Sequence, residues 1–161
     1  MTDAKPDFVY TTYIKTTPEK VWTAITNPEF TRQYWGGHDN VSDWKKGSDW
    51  KHTHENGNNV RIVGKVLESN PPKRLVLTWA DPADTKDDSR VTFEIDTAGD
   101  MVRLNIIHGN FKPGSIMAGK VAMGWPLVLS SLKSFLETGK AIDVMGVKAS
   151  LNQSCESKGA A

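Results

Sequence analysis

Four histidines and six tryptophans carry most of the chemistry this chain has to offer, and their spacing limits what that chemistry is. His52 and His54 lie two positions apart in a stretch that reads as a strand, so both project to one face, together with Trp50. His108 ends a later alternating run and shares a face with Val102, Leu104 and Ile106. Three imidazoles converging on one cavity would suit zinc. The plainer reading is the stronger one: His54 abuts a turn, and no Asp or Glu is placed to complete a ligand set, so no metal is expected. His108 is read either as a satisfied core histidine, the favoured reading, or as a polar contact for a ligand. Both readings require a hydrogen-bond partner, because an unpaired buried imidazole is costly. Trp35-Gly36-Gly37-His38 is either a mobile lid or a plain helix terminator with a core tryptophan. No Ser-His-Asp order, no paired carboxylates in apolar surroundings and no phosphate-binding glycine loop is present, so no catalytic residue and no cofactor is assigned.

The element that must position these groups runs from Met117 to Thr138. Ala118, Val121/Ala122, Trp125, Val128/Leu129, Leu132 and Phe135/Leu136 recur at intervals of three and four, the period of one helical face. Gly139 stops the helix. At about 1.5 Å per residue it spans about 31 Å, a length that several strands are needed to cover. Pro126 removes one backbone donor and crowds the carbonyl of Ala122, so a bend is expected there, eased by Gly124; the alternative is a helix that starts only near Pro126. A bent helix with Trp125 at the bend leaves a gap above the sheet.

The remaining elements follow in order. Asp7 to Lys15 reads as a strand; Pro18 and Pro28 each open a short helix, capped by Thr16 or Thr17 and by Asn27. Alternating strands follow, separated by turns at Lys46-Gly47, Glu55–Asn59, Pro71-Pro72 and Ala98-Gly99-Asp100. Asp81–Ser89 reads as a charged, flexible loop. One apolar and one charged face per strand predicts an antiparallel sheet covered on one side. Arg61, Arg90, Arg103 and Glu94 are placed on the charged face as solvated cross-strand pairs. Residues 141–161 lose periodicity and are read as a mobile tail, with a helix-like segment early on, behind a single domain at 8–140.

Composition narrows the function classes. The 161 residues suit one domain with a proper core, and Lys+Arg 20 against Asp+Glu 19 leave a net charge of +1. That balance argues against nucleic acid as a partner, and no apolar run is long enough to span a bilayer. The single cysteine excludes an internal disulfide, and a cytoplasmic location is expected.

The order strand, two short helices, six strands and a long helix resembles the α+β helix-grip fold of the START and Bet v 1-like (SRPBCC) superfamily. In that fold a curved antiparallel sheet wraps around a long C-terminal helix. Within it, the chain is similar to the homologues of the heat-shock-protein-90 ATPase activator, C-terminal-domain type. The resemblance is carried by residues 17–35, the Asp43–Gly47 segment before Trp50, Gly64–Val66 with Glu68, Pro72 to Trp79, and residues 124–139. It implies a cavity between the long helix and the sheet that takes a small apolar, aromatic or lipid-like ligand. The expected walls are Trp35, Trp50, Ile62, Leu77, Trp79, Phe93, Leu104, Ile106, Met117, Val121 and Trp125, with His52 and His108 as polar fixing points. The alternatives are a module that modulates a chaperone ATPase through the charged sheet face, and a cyclase- or dehydratase-type enzyme using His108.

Overall fold

The computed structural model describes residues 6–159, with side chains to 154. Its elements are β1 (Phe8–Ile14), α1 (Pro18–Thr26), α2 (Pro28–Tyr34), β2 (Asp39–Val41), β3 (Asp49–His54), β4 (Asn59–Asn70), β5 (Arg74–Asp81), β6 (Asp84–Ala98), β7 (Met101–Gly109), α3 (Ile116–Thr138) and α4 (Val144–Gly159). The strands form one curved, antiparallel, seven-stranded sheet in the order β1-β7-β6-β5-β4-β3-β2. Strands β2 to β7 are thus meander neighbours, and only β1 crosses over to pair with the last of them.

Local chemistry explains the helix starts. Thr17 and Asn27 accept backbone N–H groups from the first turns of α1 and α2, and each helix has proline in its first turn. Arg32 clamps Asp39 through two parallel bonds of 3.0 Å, and Asn40 takes Thr31 Oγ1 on its N–H, which ties β2 to α2. At the start of α3, Ser115 Oγ accepts from the N–H of Ala118, and Asp87 Oδ2 accepts from those of Ile116 and Met117.

Helix α3 runs without interruption through Pro126, so the helix does not begin there. Met117, Val121, Trp125, Val128, Leu129 and Leu132 are buried against the sheet. From the sheet side come Leu75, Leu77, Val91, Phe93, Ile95, Val102, Leu104, Ile106 and His108, the inward-facing residues of β5, β6 and β7. On the outer face Arg74 lies opposite Glu94, and Arg103 opposite Asp96, paired at 3.2 and 3.1 Å.

One expectation is corrected, and two features go beyond the sequence reading. Asp81–Ser89 is not a loop: Asp81 pairs with Asp84 across a tight hairpin, and the charged run 84–89 begins the 15-residue β6. Exposure at the end of the sheet lets polar residues occupy both faces there, which erases the alternation a strand usually shows. Ser131, which lies outside the apolar stripe of α3, is fully buried; its Oγ accepts from the N–H of Ile142 at 3.1 Å. The chain after Gly139 therefore returns along α3. Residues 144–159, within the segment read as a tail with a helix-like stretch early on, form α4, capped by Asp143 through the N–H of Gly146 and anchored by Val144, 2 % exposed. The remaining faces of α4 are polar or exposed, so the segment carries no amphipathic stripe to announce it.

Candidate functional site

A cavity of about 440 Å³ lies between α3 and the sheet, beside the turn that carries Pro126. That volume is within the range of small-molecule sites. Its wall is formed by Trp35, His52, Val60, Ile62, Trp79, Met117, Val121, Gly124, Trp125 and Val128, and its mouth by Arg61, Asp81, Lys120 and Lys148. Trp125 packs at a tilt against the other two tryptophans, its ring centred 5.4 Å from Trp35 and 5.5 Å from Trp79. Trp35 ends α2, where Gly36 and Gly37 take φ of 59° and 78° and turn the chain away from it.

Of the residues expected to line a ligand site, Trp35, His52, Ile62, Trp79, Met117, Val121 and Trp125 surround this cavity. Trp50, Leu77, Phe93, Leu104, Ile106 and His108 lie behind it in the core. Trp50 is placed by Gly64: its Nε1 donates to the carbonyl of Thr78 at 2.8 Å, through space that a side chain at position 64 would fill. Leu77, Phe93, Leu104 and Ile106, expected as walls, do not border this space. They are buried in one core cluster with Trp79 and Trp125, which do border the space, and a sheet face seen in sequence has no depth.

His108 is a satisfied core histidine. The indole N–H of Trp125 can only donate, so it fixes His108 Nδ1 as its acceptor at 3.0 Å. The ring proton therefore sits on Nε2 and is donated to Ser89 Oγ at 2.8 Å, and Ser89 in turn donates to the carbonyl of Trp79. Burial pushes the His108 pKa down to about 3. His52 is likewise neutral, its pKa held well below the ordinary value, first by burial and then by His38, Lys148 and Arg61. Asn40 donates its amide to Ile25 O, so its Oδ1 faces and accepts the His52 Nδ1 proton at 2.7 Å. His52 Nε2 is then left as an acceptor.

The three clustered imidazoles are His38, His52 and His54, and His108 is not among them. His38 stacks on His52 at 4.6 Å and 3° and on His54 at 4.5 Å and 27°. Stacked rings direct their lone pairs into separate planes, and among the described residues no group of three His, Cys, Asp or Glu is arranged to hold a metal ion.

Arg61 is the clearest displacement from expectation. Strands β3 and β4 pair His52 with Ile62 and Thr53 with Val60, so Arg61 is the extra residue of a β-bulge. Such a bulge breaks the alternation and re-aims a side chain; Val60, Arg61 and Ile62 consequently all border the cavity. One buried donor there is unused: Trp79 Nε1 has no partner among the described residues.

Residues 15–137 match the family model described as Activator of Hsp90 ATPase homolog 1-like protein. The chain belongs to this family. The match begins just after β1, runs to within one residue of the end of α3, and leaves α4, with Lys148, beyond it. Among solved structures, the fold is similar to the Aha1 dimer from Colwellia psychrerythraea, with TM-score 0.70 and 24% identity over 85% of this chain and 100% of that one. It is similar also to protein MLL2253 from Mesorhizobium loti, with TM-score 0.67 and 29% identity over 81% and 96%. A third is PFC0360w, an HSP90 activator from Plasmodium falciparum, with TM-score 0.66 and 22% identity over 82% and 96%. A search of curated proteins returns no match. Among the described residues, no helix is long and apolar enough to cross a membrane.

Proposed function

We propose that the protein binds a small, largely apolar molecule in the cavity between α3 and the sheet. The observation that carries this reading is the 440 Å³ space walled by Trp35, Trp79 and Trp125. A concave pocket of this size, with aromatic walls and a few convergent polar groups, is what small-molecule sites present. The neutral His52, on the cavity wall, supplies an acceptor to orient a ligand. The test is native mass spectrometry of freshly purified protein against its denatured mass, repeated on Trp125→Ala. An adduct released on denaturation, and lost in the folded variant, supports the reading. An adduct retained at full occupancy by folded Trp125→Ala counts against it.

The family match favours a second reading, a module that modulates the ATPase of an Hsp90-type chaperone. It uses the outer sheet face, where Arg74, Glu94, Arg103 and Asp96 lie, and predicts chaperone capture that is insensitive to Trp125→Ala. The enzyme reading draws no support from His108, whose two ring nitrogens are both engaged inside the protein.

A further inference from the structure

The charge around the cavity mouth is lopsided. Arg61, Lys120 and Lys148 face a single carboxylate, Asp81, although the chain as a whole carries only +1. Lys120 Nζ lies 3.9 Å from Asp81, which accounts for that carboxylate. Arg61 and Lys148 have no ion-pair partner among the described residues. Two independent devices bring them together: the β-bulge that turns Arg61 out of the strand alternation, and α4, held to α3 through Ser131 and Val144, which delivers Lys148. Both cations lie near enough to His52, on the cavity wall, to repel a proton there.

Resting on the cavity reading above, we infer that the ligand is an organic acid, with a flat apolar body among Trp35, Trp79 and Trp125 and a carboxylate at Arg61 and Lys148. A guanidinium matches a carboxylate with two parallel hydrogen bonds, and a low-dielectric cavity behind the cations strengthens their attraction for an anion. An apolar body without the acid leaves both cations uncompensated. A cationic head would meet three like charges and one carboxylate that Lys120 already engages.

The discriminating experiment titrates the full chain with three probes of one shape: 2-naphthoate, 2-naphthamide and 2-naphthylmethylammonium. Binding is read by quenching of tryptophan fluorescence and by calorimetry at low ionic strength. The same series is run on Arg61→Gln/Lys148→Gln, whose two positions are exposed and leave the core untouched. Naphthoate is expected to bind about tenfold or more tighter than the amide, to displace it, and to lose most of that advantage in the double variant and at high salt. Equal binding of acid and amide, or tighter binding of the amine, overturns the acid assignment while leaving the cavity reading intact. An acid advantage that survives in the double variant overturns the role of Arg61 and Lys148. Failure of all three probes to bind overturns the cavity reading together with this one.

Discussion

The indole N–H of Trp125 donates to Nδ1 of His108 across 3.0 Å, joining the middle of α3 to the strand beneath it. The chain of polar groups continues through Ser89 to the carbonyl of Trp79, so two walls of the cavity are held by one buried relay. A buried relay of this kind stabilises only while every member is satisfied.

Removing Trp125 tests both its bulk and its hydrogen bond. Trp125→Ala should destabilise the protein by about 3–5 kcal/mol, the cost of truncating a large core side chain. Trp125→Phe keeps most of the volume but leaves His108 Nδ1 without its donor, and should cost about 1–3 kcal/mol. Urea denaturation of the two variants separates the terms; a Phe variant as stable as the parent would show that the bond contributes nothing.

Acid should unfold the protein through its neutral histidines. His108 and His52 both have folded-state pKa values lowered by burial, to about 3 for His108, against 6.5 in the unfolded chain. The unfolded state therefore binds more protons below about pH 6.5. Stability is full above that pH and falls as pH drops toward the folded values, by up to about 1.4 kcal/mol per pH unit for each histidine. His108→Gln retains an acceptor and a donor, so the melting temperature of that variant should fall less steeply between pH 6.5 and 4. An unchanged slope would remove His108 from the acid response.

Gly64 is where two pieces of backbone and a tryptophan meet. A methyl group there would overlap the carbonyl oxygen of Thr78 and the Trp50 indole nitrogen bonded to it. The backbone oxygen cannot swing aside as a side chain can. Gly64→Ala should cost about 3 kcal/mol, at the upper end for overpacking, and shift the Trp50 fluorescence. Loss of less than half a kcal/mol would mean that β4 and β5 separate freely here.

Ser131 anchors the chain that returns from α3 to α4. Ser131→Ala leaves the Ile142 N–H without its partner and should cost about 1 kcal/mol or slightly more. The effect should be local: amide exchange over 142–150 should quicken while β5, β6 and β7 keep their protection. Unchanged exchange in that segment would show that Val144 alone holds α4.

Much of the fold is written in short-range patterns. The stripe from Val121 to Leu132, the proline-opened helices after Thr17 and Asn27, and the alternation in Val102, Leu104, Ile106 and His108 each depend on residues a few positions apart. Burial of one face then enforces the period. Chain order and these periods together determine a seven-stranded antiparallel sheet packed on one long helix. They also place Trp125 beside Pro126, and so place the cavity along α3.

Tertiary structure alone decided what surrounds that cavity. Arg61 reaches its mouth because β3 and β4 pair with one residue extra, a property of two strands and not of either. Lys148 arrives on a helix whose sequence has no apolar stripe and whose position depends on Ser131, buried only because the chain turns back over it. The stack of His38 on His52 joins the end of α2 to β3, and Trp79 borders the open space while Leu77 and Phe93 do not, although all three face inward. Periodicity reports which side of an element is buried; register, depth and the meeting of distant segments arise only when the elements pack.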